Sequence, residues 1–325
     1  PRPTASIASR APAIAKSSSM ASSPAKTGAP GDLLMDDWAQ RLFFNGDVRY
    51  LNAYLAHPNE PAPTRLLPTP LSWRMEKEKR GQKGAPIYDW AFPQPKLGKP
   101  TPPKGQFCWL DDTDAYLADH ASQVNVHNAS QNRDRKSASE SQVYRYEALA
   151  AGTRLVGVVA AEDKGALDKV KELLEGRTFI LGGSHTGGYG RVEISTVTRL
   201  DNWHEYTADG EPDEFVVVTL LSDAIVQTPD GLPTLDLPTA LGLTGEQRSD
   251  GRIRVYQDAR LVGGFNRKWG LPLPQAWAIQ AGSAAYLPLG LVHPQRLARL
   301  VETGVGERRV EGFGRIAVNW HAQTR

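Results

Sequence analysis

Two closely similar glycine-rich segments, far apart in the chain, place the strongest constraint on its fold. GGYGRVEI stands at residues 187–194, and EGFGRIAV stands at residues 311–318. Each has the pattern Gly-aromatic-Gly-Arg-aliphatic and leads into a segment with the composition of a β-strand. Because glycine tolerates positive φ angles, each segment predicts a tight loop before a strand. A loop that occurs twice together with its strand indicates an internal duplication.

A helical pattern precedes each glycine loop. Before the first loop, a strand candidate, TRLVGVVAA (153–161), is followed by DKGALDKVKELLEG, with Asp163 as the predicted N-cap and Gly176 as the residue that ends the helix. The apolar residues of this helix fall on one face: Ala166, Leu167, Val170, Leu173 and Leu174. Before the second loop, HPQRLARLVETG predicts a helix that begins near Pro294 and stops at Gly304.

These repeated units predict the fold class and the domain organisation. We expect an α+β protein of two ferredoxin-like domains with glycine-rich loops and long irregular loops. The first domain is predicted over residues 36–205 and the second over residues 206–325, with the acidic, turn-rich DNWHEYTADGEPDE (201–214) between them. Residues 58–105 are rich in Pro and Lys and predict a long surface loop, anchored by Leu66, Leu71, Trp73 and Trp90.

The N-terminal segment has a different composition. Residues 1–35 are predicted to be a flexible leader or linker, because residues 1–30 are rich in Ser, Ala and Pro and contain no acidic residue. The sequence begins with Pro rather than Met, so we expect that the chain is processed, cut from a fusion or part of a longer protein.

Composition excludes several classes of function. No apolar run reaches the roughly 18 residues that a membrane span needs, and no signal peptide is visible, so we expect a cytoplasmic protein without membrane contact. Cys108 is the single cysteine, which excludes a disulfide framework and thiolate zinc sites. The seven histidines are scattered and show no zinc-ligand spacing, so we expect no metal and no cofactor. The net charge of +2 is mixed along the chain, so a nucleic-acid site would be a local patch.

The glycine loops offer chemistry suited to RNA. Exposed backbone amides can form a concave nest for phosphate, nearby arginines can pair with phosphates, and Tyr189 and Phe313 could either stack on a base or fill the core. The alternative is that the loops are only tight turns, but two matched loops favour RNA binding. A β-branched residue at Gly190 or Gly314 is expected to fill space that an RNA backbone would need. The candidate RNA-binding residues of the loops are Gly182, Gly183, His185, Gly187, Gly188, Tyr189, Gly190, Arg191, Arg308, Arg309, Gly312, Phe313, Gly314 and Arg315.

Two further segments carry donors suited to nucleic acid. VNVHNASQNRDRKSASES (124–141) contributes the candidates His127, Asn128 and Arg133, although a solvated loop has the same composition. GGFNRKWGLPLP (263–274) contributes Arg267, Lys268 and Trp269, which could hold a single strand by charge and stacking. The alternative for this segment is a hairpin tip whose tryptophan packs on the core.

Several blocks, in order, resemble RAMP proteins of type III CRISPR effector complexes, and in particular the type III-D subunit of the group that caps the crRNA 5′ handle. The blocks lie between Leu42 and Trp320, and they are LFFNGDVRYLNAYLAHP, TRLLPTPLSW, HNASQNRDR with VYRYEALAAGT, LGGSHTGGYGRVEI, TLLSDAIV, GGFNRKWGLPLP and GVGERRVEGFGRIAVNW. The two glycine loops are a hallmark of RAMP proteins, and H-N-x-x-x-x-R at 127–133 adds to the type III resemblance. Members of this family begin with a strand and an IPGS-x-x-RG-like segment. Residues 1–35 show neither, so the first RAMP domain is expected either to lack its first strand or to take it from residues outside this sequence.

The resemblance implies a non-catalytic crRNA-binding subunit. Such a subunit would cap the 5′ handle and bridge the large polymerase/cyclase-type subunit to the backbone RAMP subunits, in a complex that also holds the small subunit. Target RNA would be read indirectly, by pairing with the guide. One alternative is a RAMP-type, metal-free endoribonuclease that processes precursor crRNA, with His185 or His127 as the general base. Another is a scaffold whose glycine loops only make turns.

Overall fold

The computed structural model describes residues 4–11, 36–59, 64–92, 96–111, 114–128, 143–182, 188–201, 214–266 and 270–320. Within these ranges, side chains are described except at 4–11, 111, 127–128, 143–144 and 265–266. The described part of the chain is a mixed α/β structure in which strands predominate and helices are few.

The part of the chain that the structure describes contains 21 strands. They are β1 (Thr4–Ala11), β2 (Val48–Leu55), β3 (Leu67–Pro68), β4 (Trp73–Glu76), β5 (Tyr88–Asp89), β6 (Pro100–Thr101), β7 (Phe107–Asp111), β8 (Asp114–Ala118), β9 (Ser122–Asn128), β10 (Val143–Leu149), β11 (Thr153–Ala161), β12 (Thr178–Ile180), β13 (Arg191–Leu200), β14 (Phe215–Leu220), β15 (Val226–Gln227), β16 (Pro233–Thr234), β17 (Arg254–Tyr256), β18 (Ala259–Asn266), β19 (Leu271–Ile279), β20 (Ala284–Pro288) and β21 (Ile316–Val318).

The helices are short, apart from two. They are α1 (Asp37–Ala39), which continues as a π-helix over Gln40–Phe44, α2 (Lys164–Leu174), α3 (Leu237–Ala240), α4 (Gly245–Arg248) and α5 (Pro294–Thr303), with short 3₁₀ turns at Lys77–Lys79 and Arg309–Glu311. No helix in the described ranges is both long enough and apolar enough to cross a membrane.

Five antiparallel strands form the sheet of the N-terminal half, in the order β12-β13-β1-β11-β2. We call it the N-terminal sheet. Strand β1 lies at its centre, because Ile7 is paired with Gly157 of β11 on one side and with Val197 of β13 on the other. The sheet therefore takes its central strand from the beginning of the chain.

The leader predicted over residues 1–35 is wrong for Thr4–Ala11, and so is the expectation that the first strand is missing. The segment TASIASRA has low β-propensity, since it is rich in Ser and Ala. A strand with a partner on both sides gains ladder hydrogen bonds along both edges, and this pairing compensates for the weak local preference. The information that places β1 lies in β11 and β13, which are far away in the sequence.

Helix α2 follows the sequence pattern closely and packs on the N-terminal sheet. The carboxylate of Asp163 accepts a hydrogen bond from the Gly165 amide at 2.8 Å, which confirms the predicted N-cap. Leu167 and Leu174 are buried against residues of β11 and β13, and each such side chain stabilises the fold by about 1.5–3 kcal/mol. Leu173, predicted on the buried face, is 43% exposed instead, because it lies at the edge of the apolar stripe.

The C-terminal half forms a second sheet in the order β17-β20-β14-β21, which we call the C-terminal sheet. Helix α5 begins as predicted, with Pro294 in its first turn, and Gly304 ends it at φ +78°. The helix buries Leu297 in a core shared with β14, β20 and β21. Each long helix thus precedes a glycine loop, α5 directly and α2 with β12 in between.

The two sheets are joined by an apolar cluster, and a buried cation lies beside it. The cluster contains Tyr54 of β2 and Leu221, which follows β14, and the Tyr54 hydroxyl donates to the Leu221 carbonyl. The guanidinium of Arg65 donates to the Asn52 carbonyl at 2.6 Å and lies 5.0 Å from the centre of the Tyr54 ring. Burial lowers the pKa of Arg65 to about 9. The cluster and the Tyr54–Leu221 hydrogen bond hold β2 against the C-terminal half.

The Pro/Lys-rich stretch is more ordered than a long surface loop. It contains β3 to β6, and it forms two small sheets, in the orders β3-β7-β8 and β5-β4-β6. Leu66 and Trp73 are buried anchors, as predicted. Short strands of two residues leave too little periodicity for sequence reasoning to detect.

The described strands form two main sheets and several smaller ones, so no single sheet runs through the chain. The two ferredoxin-like domains and the boundary near residue 205 stay predictions. Residues 202–213 of the proposed linker lie outside the described residues.

Candidate nucleic-acid interface

The two glycine loops are closed by the same backbone hydrogen bond. In the first loop the Leu181 amide donates to the Gly190 carbonyl at 2.8 Å, and in the second the Val305 amide donates to the Gly314 carbonyl at 2.8 Å. Corresponding glycines also share left-handed backbone angles: Gly182 and Gly306, Gly188 and Gly312, and Gly190 and Gly314. The repeat seen in the sequence is therefore a repeat of backbone conformation.

Glycine is required at positions 190 and 314 by the loops themselves. A Cβ atom at Gly190 would lie 1.9 Å from the Leu181 carbonyl oxygen, and one at Gly314 would lie 1.8 Å from the Val305 carbonyl oxygen. Both distances are far below van der Waals contact. The sequence analysis expected glycine at these positions because an RNA backbone needs the space. The structure gives a different reason, since a side chain would collide with a carbonyl oxygen of the same loop.

The surroundings of the two loops differ. A Cβ atom at Gly182 or Gly188 of the first loop would meet nothing within 4 Å. At Gly306 it would lie 2.1 Å from the Ile225 carbonyl oxygen, and at Gly312 it would lie 2.7 Å from the Tyr50 carbonyl oxygen. The first loop therefore has open space beside Gly182 and Gly188, whereas the second loop is packed against both halves of the protein.

The arginines that follow the loops differ in the same way. Arg191, at the start of β13, is exposed. The Arg315 guanidinium instead donates to the Val301 carbonyl at 2.7 Å, near the end of α5, and burial lowers its pKa to about 10. This contact satisfies one of the terminal carbonyls of the helix. Arg315 is held by the fold, and Arg191 faces solvent.

The arginines inside the second loop also divide into two kinds. Arg308 donates to the carboxylate of Glu311 from Nε at 2.8 Å and from Nη2. Its guanidinium lies 4.8 Å from the centre of the Phe313 ring, so the phosphate role predicted for Arg308 and the stacking role predicted for Phe313 compete with an existing contact. Arg309 is exposed, and no ion pair of Arg309 is found among the described residues.

A hairpin of β9 and β10 lies against the first loop. The hydroxyl of Tyr189 accepts a hydrogen bond from Asn125 Nδ2 at 2.7 Å, and its ring lies 5.6 Å from the ring of Tyr146. Asn125 and Tyr146 are directly opposite each other in the hairpin. Since cross-strand partners share one face, this face of the hairpin and the loop form one surface.

The same hairpin carries the polar segment that sequence analysis singled out. His127 and Asn128 are the last residues of β9, opposite Tyr144 and Val143 of β10. The contact with Tyr189 brings this strand pair beside the first glycine loop, two regions that the sequence separates widely. Asn125 and Tyr146 were missed, because no local pattern distinguishes them from other strand residues.

Seven predicted site residues lie outside the described residues. They are Arg133, Gly183, His185, Gly187, Arg267, Lys268 and Trp269. In the part of the chain that the structure describes, no group of three or more His, Cys, Asp or Glu residues could hold a metal ion.

The surface formed by the first loop, Arg191 and the hairpin combines three kinds of contact. The backbone at Gly188 has open space where a side chain would stand, Arg191 offers a charged fork, and Tyr146 with Tyr189 offers aromatic rings beside the Asn125 amide. Phosphate, ribose and base can each be held by one of these groups. We call this surface the loop–hairpin surface.

Comparisons with known proteins give similarities of low identity. No protein-family model and no curated protein matches the sequence. A chain in the cryo-EM structure of the type III-B Cmr-beta complex, bound to cognate target RNA and AMPPnP, is 14% identical, with a TM-score of 0.41 over 87% of this chain and 86% of that chain. The product of a Cas6-related gene from Pyrococcus furiosus is 12% identical, with a TM-score of 0.32 over 61% of this chain and 78% of that chain. A RAMP protein that binds different RNA substrates is 13% identical, with a TM-score of 0.30 over 57% of this chain and 75% of that chain.

Proposed function

We propose that this chain is a non-catalytic, crRNA-binding RAMP subunit of a type III CRISPR effector complex. It holds the repeat-derived 5′ handle of the crRNA and joins the large polymerase/cyclase-type subunit to the backbone subunits. Target RNA is read by pairing with the guide and not by this chain. The sequence blocks from Leu42 to Trp320 suggest this assignment, and the loop–hairpin surface supports its RNA-binding part.

The observation that carries the proposal is the geometry of the first glycine loop. Gly182 and Gly188 have open space where a side chain would stand, at positive φ angles. Tyr189 follows Gly188, and its hydroxyl accepts a hydrogen bond from Asn125 of the β9–β10 hairpin. Arg191 is exposed where the loop ends and β13 begins. An open backbone flanked by a fixed aromatic ring and a cation suits the phosphates and bases of a single strand.

The two loops have different roles in this proposal. The first loop contacts RNA, whereas the second joins the two halves through Gly312 and Gly306. Among the loop arginines, exposed Arg191 contacts phosphate, and Arg308 and Arg315 maintain the fold. A duplicated unit has thus kept one backbone geometry for two purposes.

A binding assay with two RNAs tests the proposal. The purified full chain is incubated with an RNA that carries the repeat-derived 5′ handle and with a scrambled RNA of the same composition. We expect tighter binding of the handle RNA and no cleavage over hours. Equal affinity for the two RNAs would contradict handle recognition.

Cleavage would favour the alternative enzyme. If the chain cut precursor RNA, and if His185→Ala or His127→Ala removed the activity with folding intact, the chain would be an endoribonuclease and the non-catalytic role would be wrong. We expect instead that both variants bind RNA and assemble as the wild type does. The matched control is Asn128→Ala, which changes a neighbouring polar residue but removes no candidate base.

A further inference from the structure

We propose that the β18–β19 hairpin forms a second contact for single-stranded RNA, centred on Trp277. This inference rests on the proposed function, because it assigns a second RNA contact to the same chain. Trp277 lies directly opposite Leu261 across the hairpin. Both side chains face solvent, since Trp277 is 56% and Leu261 is 47% exposed.

An exposed Trp–Leu pair on a two-stranded hairpin calls for an explanation. The described residues pair β18 and β19 with each other, and the pairing extends to the rest of the protein at the Ala224–Ile279 bridge. Exposed apolar side chains that lie next to each other often mark an interaction site. A flat indole beside an aliphatic side chain is a suitable platform for a nucleobase, and such stacking tolerates any base.

The charge of the hairpin favours RNA over a protein partner. The sequence of residues 259–279 contains no Asp or Glu. Arg260, next to Leu261, is exposed, with Nη1 3.8 Å from the Asp223 carboxylate. The sequence of the hairpin thus contains three cations, Arg260, Arg267 and Lys268, with Asp223 as the neighbouring acid outside it, and an excess of cations suits a polyanion. A protein interface would gain from charges of both signs around the apolar pair.

The base of the hairpin fixes its place beside the second glycine loop. Ala224 and Ile279 exchange backbone hydrogen bonds at 2.8 Å each. The backbone carbonyl of the preceding residue, Asp223, accepts from the Gly314 amide at 2.9 Å. The carboxylate of Asp223 accepts from the Ala281 amide at 2.9 Å. These contacts hold the base of the hairpin at a defined position beside the second loop.

The test uses the full chain and a fluorescein-labelled oligouridine of about 20 nucleotides, which cannot form stable base pairs. Trp277→Ala and Trp277→Leu are expected to weaken its binding roughly 5- to 100-fold, the range for the loss of one stacked base. Trp277→Phe keeps an aromatic face and is expected to stay within a few-fold of the wild type. Tyr116→Ala, which removes a similarly exposed ring on β8, is the matched control and should bind as the wild type does.

The outcomes separate this inference from the proposed function. If the wild type binds handle RNA and oligouridine, and the Ala and Leu variants bind both as tightly, the hairpin is not an RNA platform. The same holds if these variants lose a protein partner while their RNA affinity is unchanged. If the wild type binds neither RNA, the inference falls together with the proposed function. Because Trp277→Leu preserves the apolar bulk, it tests stacking even if Trp277→Ala fails to fold.

Discussion

At the scale of single residues, identical amino acids have different roles at corresponding positions of the two loops. Arg191 is exposed, whereas Arg315 donates to Val301 near the end of α5. Gly188 has open space around it, whereas Gly312 lies against Tyr50. The similar sequences of the two loops thus correspond to a shared backbone conformation. The neighbouring residues determine which side chains are exposed.

Gly190→Ala is expected to destabilise the fold more than Gly188→Ala. Both substitutions place a Cβ at a positive φ, which costs about 1–2 kcal/mol, but only at position 190 would that atom meet the Leu181 carbonyl oxygen. The free energy of unfolding, measured by urea denaturation, gives the comparison. Equal losses at the two positions would contradict the loop geometry described above.

Arg315→Ala is expected to lower the free energy of unfolding by about 1.5–3 kcal/mol, the value of a hydrogen bond to a charged group. Arg191→Ala should change it by less than about 0.5 kcal/mol, as is usual for exposed side chains. Thermal and urea unfolding of both variants measure this contrast. A stable Arg315→Ala protein would show that the contact with Val301 contributes little.

At the scale of elements, the helices and the strands next to them could be predicted from sequence, and the pairing between distant strands could not. The Asp163 cap, the buried leucines of α2 and the Gly304 stop of α5 are local signals, and they were confirmed. Strand β1 carries almost no local signal, since its segment is rich in Ser and Ala. The contact of Tyr189 with Asn125 and Tyr146 likewise depends on tertiary packing. For the candidate site, sequence found the loops but not the hairpin residues that complete the surface.

Ile7→Pro is expected to destabilise the N-terminal sheet by about 1–3 kcal/mol, the cost of a group left without its hydrogen bond. Proline removes a backbone donor from the central strand and cannot follow its ladder. Ile7→Val is the control, since it keeps the backbone and a β-branched side chain. Hydrogen exchange of β11 and β13 amides, or thermal unfolding, measures the effect. An unchanged melting temperature for the proline variant would mean that β1 is dispensable for the sheet.

At the scale of the whole molecule, the second glycine loop and one apolar cluster join the two halves. Gly312 lies against β2, and the cluster that contains Tyr54, Leu221 and Trp320 also contains Cys108. Cys108 is fully buried, and burial raises the pKa of its thiol. The single cysteine is therefore a reporter of the contact between the halves.

Cys108 is expected to react with a thiol reagent only when this cluster opens. In native buffer the labelling should be slow, because the side chain is inaccessible and little thiolate forms. Labelling should become fast at the urea concentration where the chain unfolds. Complete reaction within the mixing time in native buffer would contradict the packing of the two halves.

The salt dependence of RNA binding by Arg191→Ala and Arg315→Ala tests the central claim most directly. Filter binding of handle RNA to the full chain is measured across a salt series, at a temperature where both variants are folded. If the first loop contacts phosphate and the second maintains the fold, Arg191→Ala should bind more weakly and lower the log–log salt slope by roughly 0.7, the value for one single-strand phosphate contact, while Arg315→Ala should keep the wild-type slope. Lys79→Ala, which removes one cation paired with Glu76, should leave affinity and slope unchanged. The claim would be contradicted if Arg191→Ala kept both the affinity and the slope, or if Arg315→Ala lowered the slope as much as Arg191→Ala does.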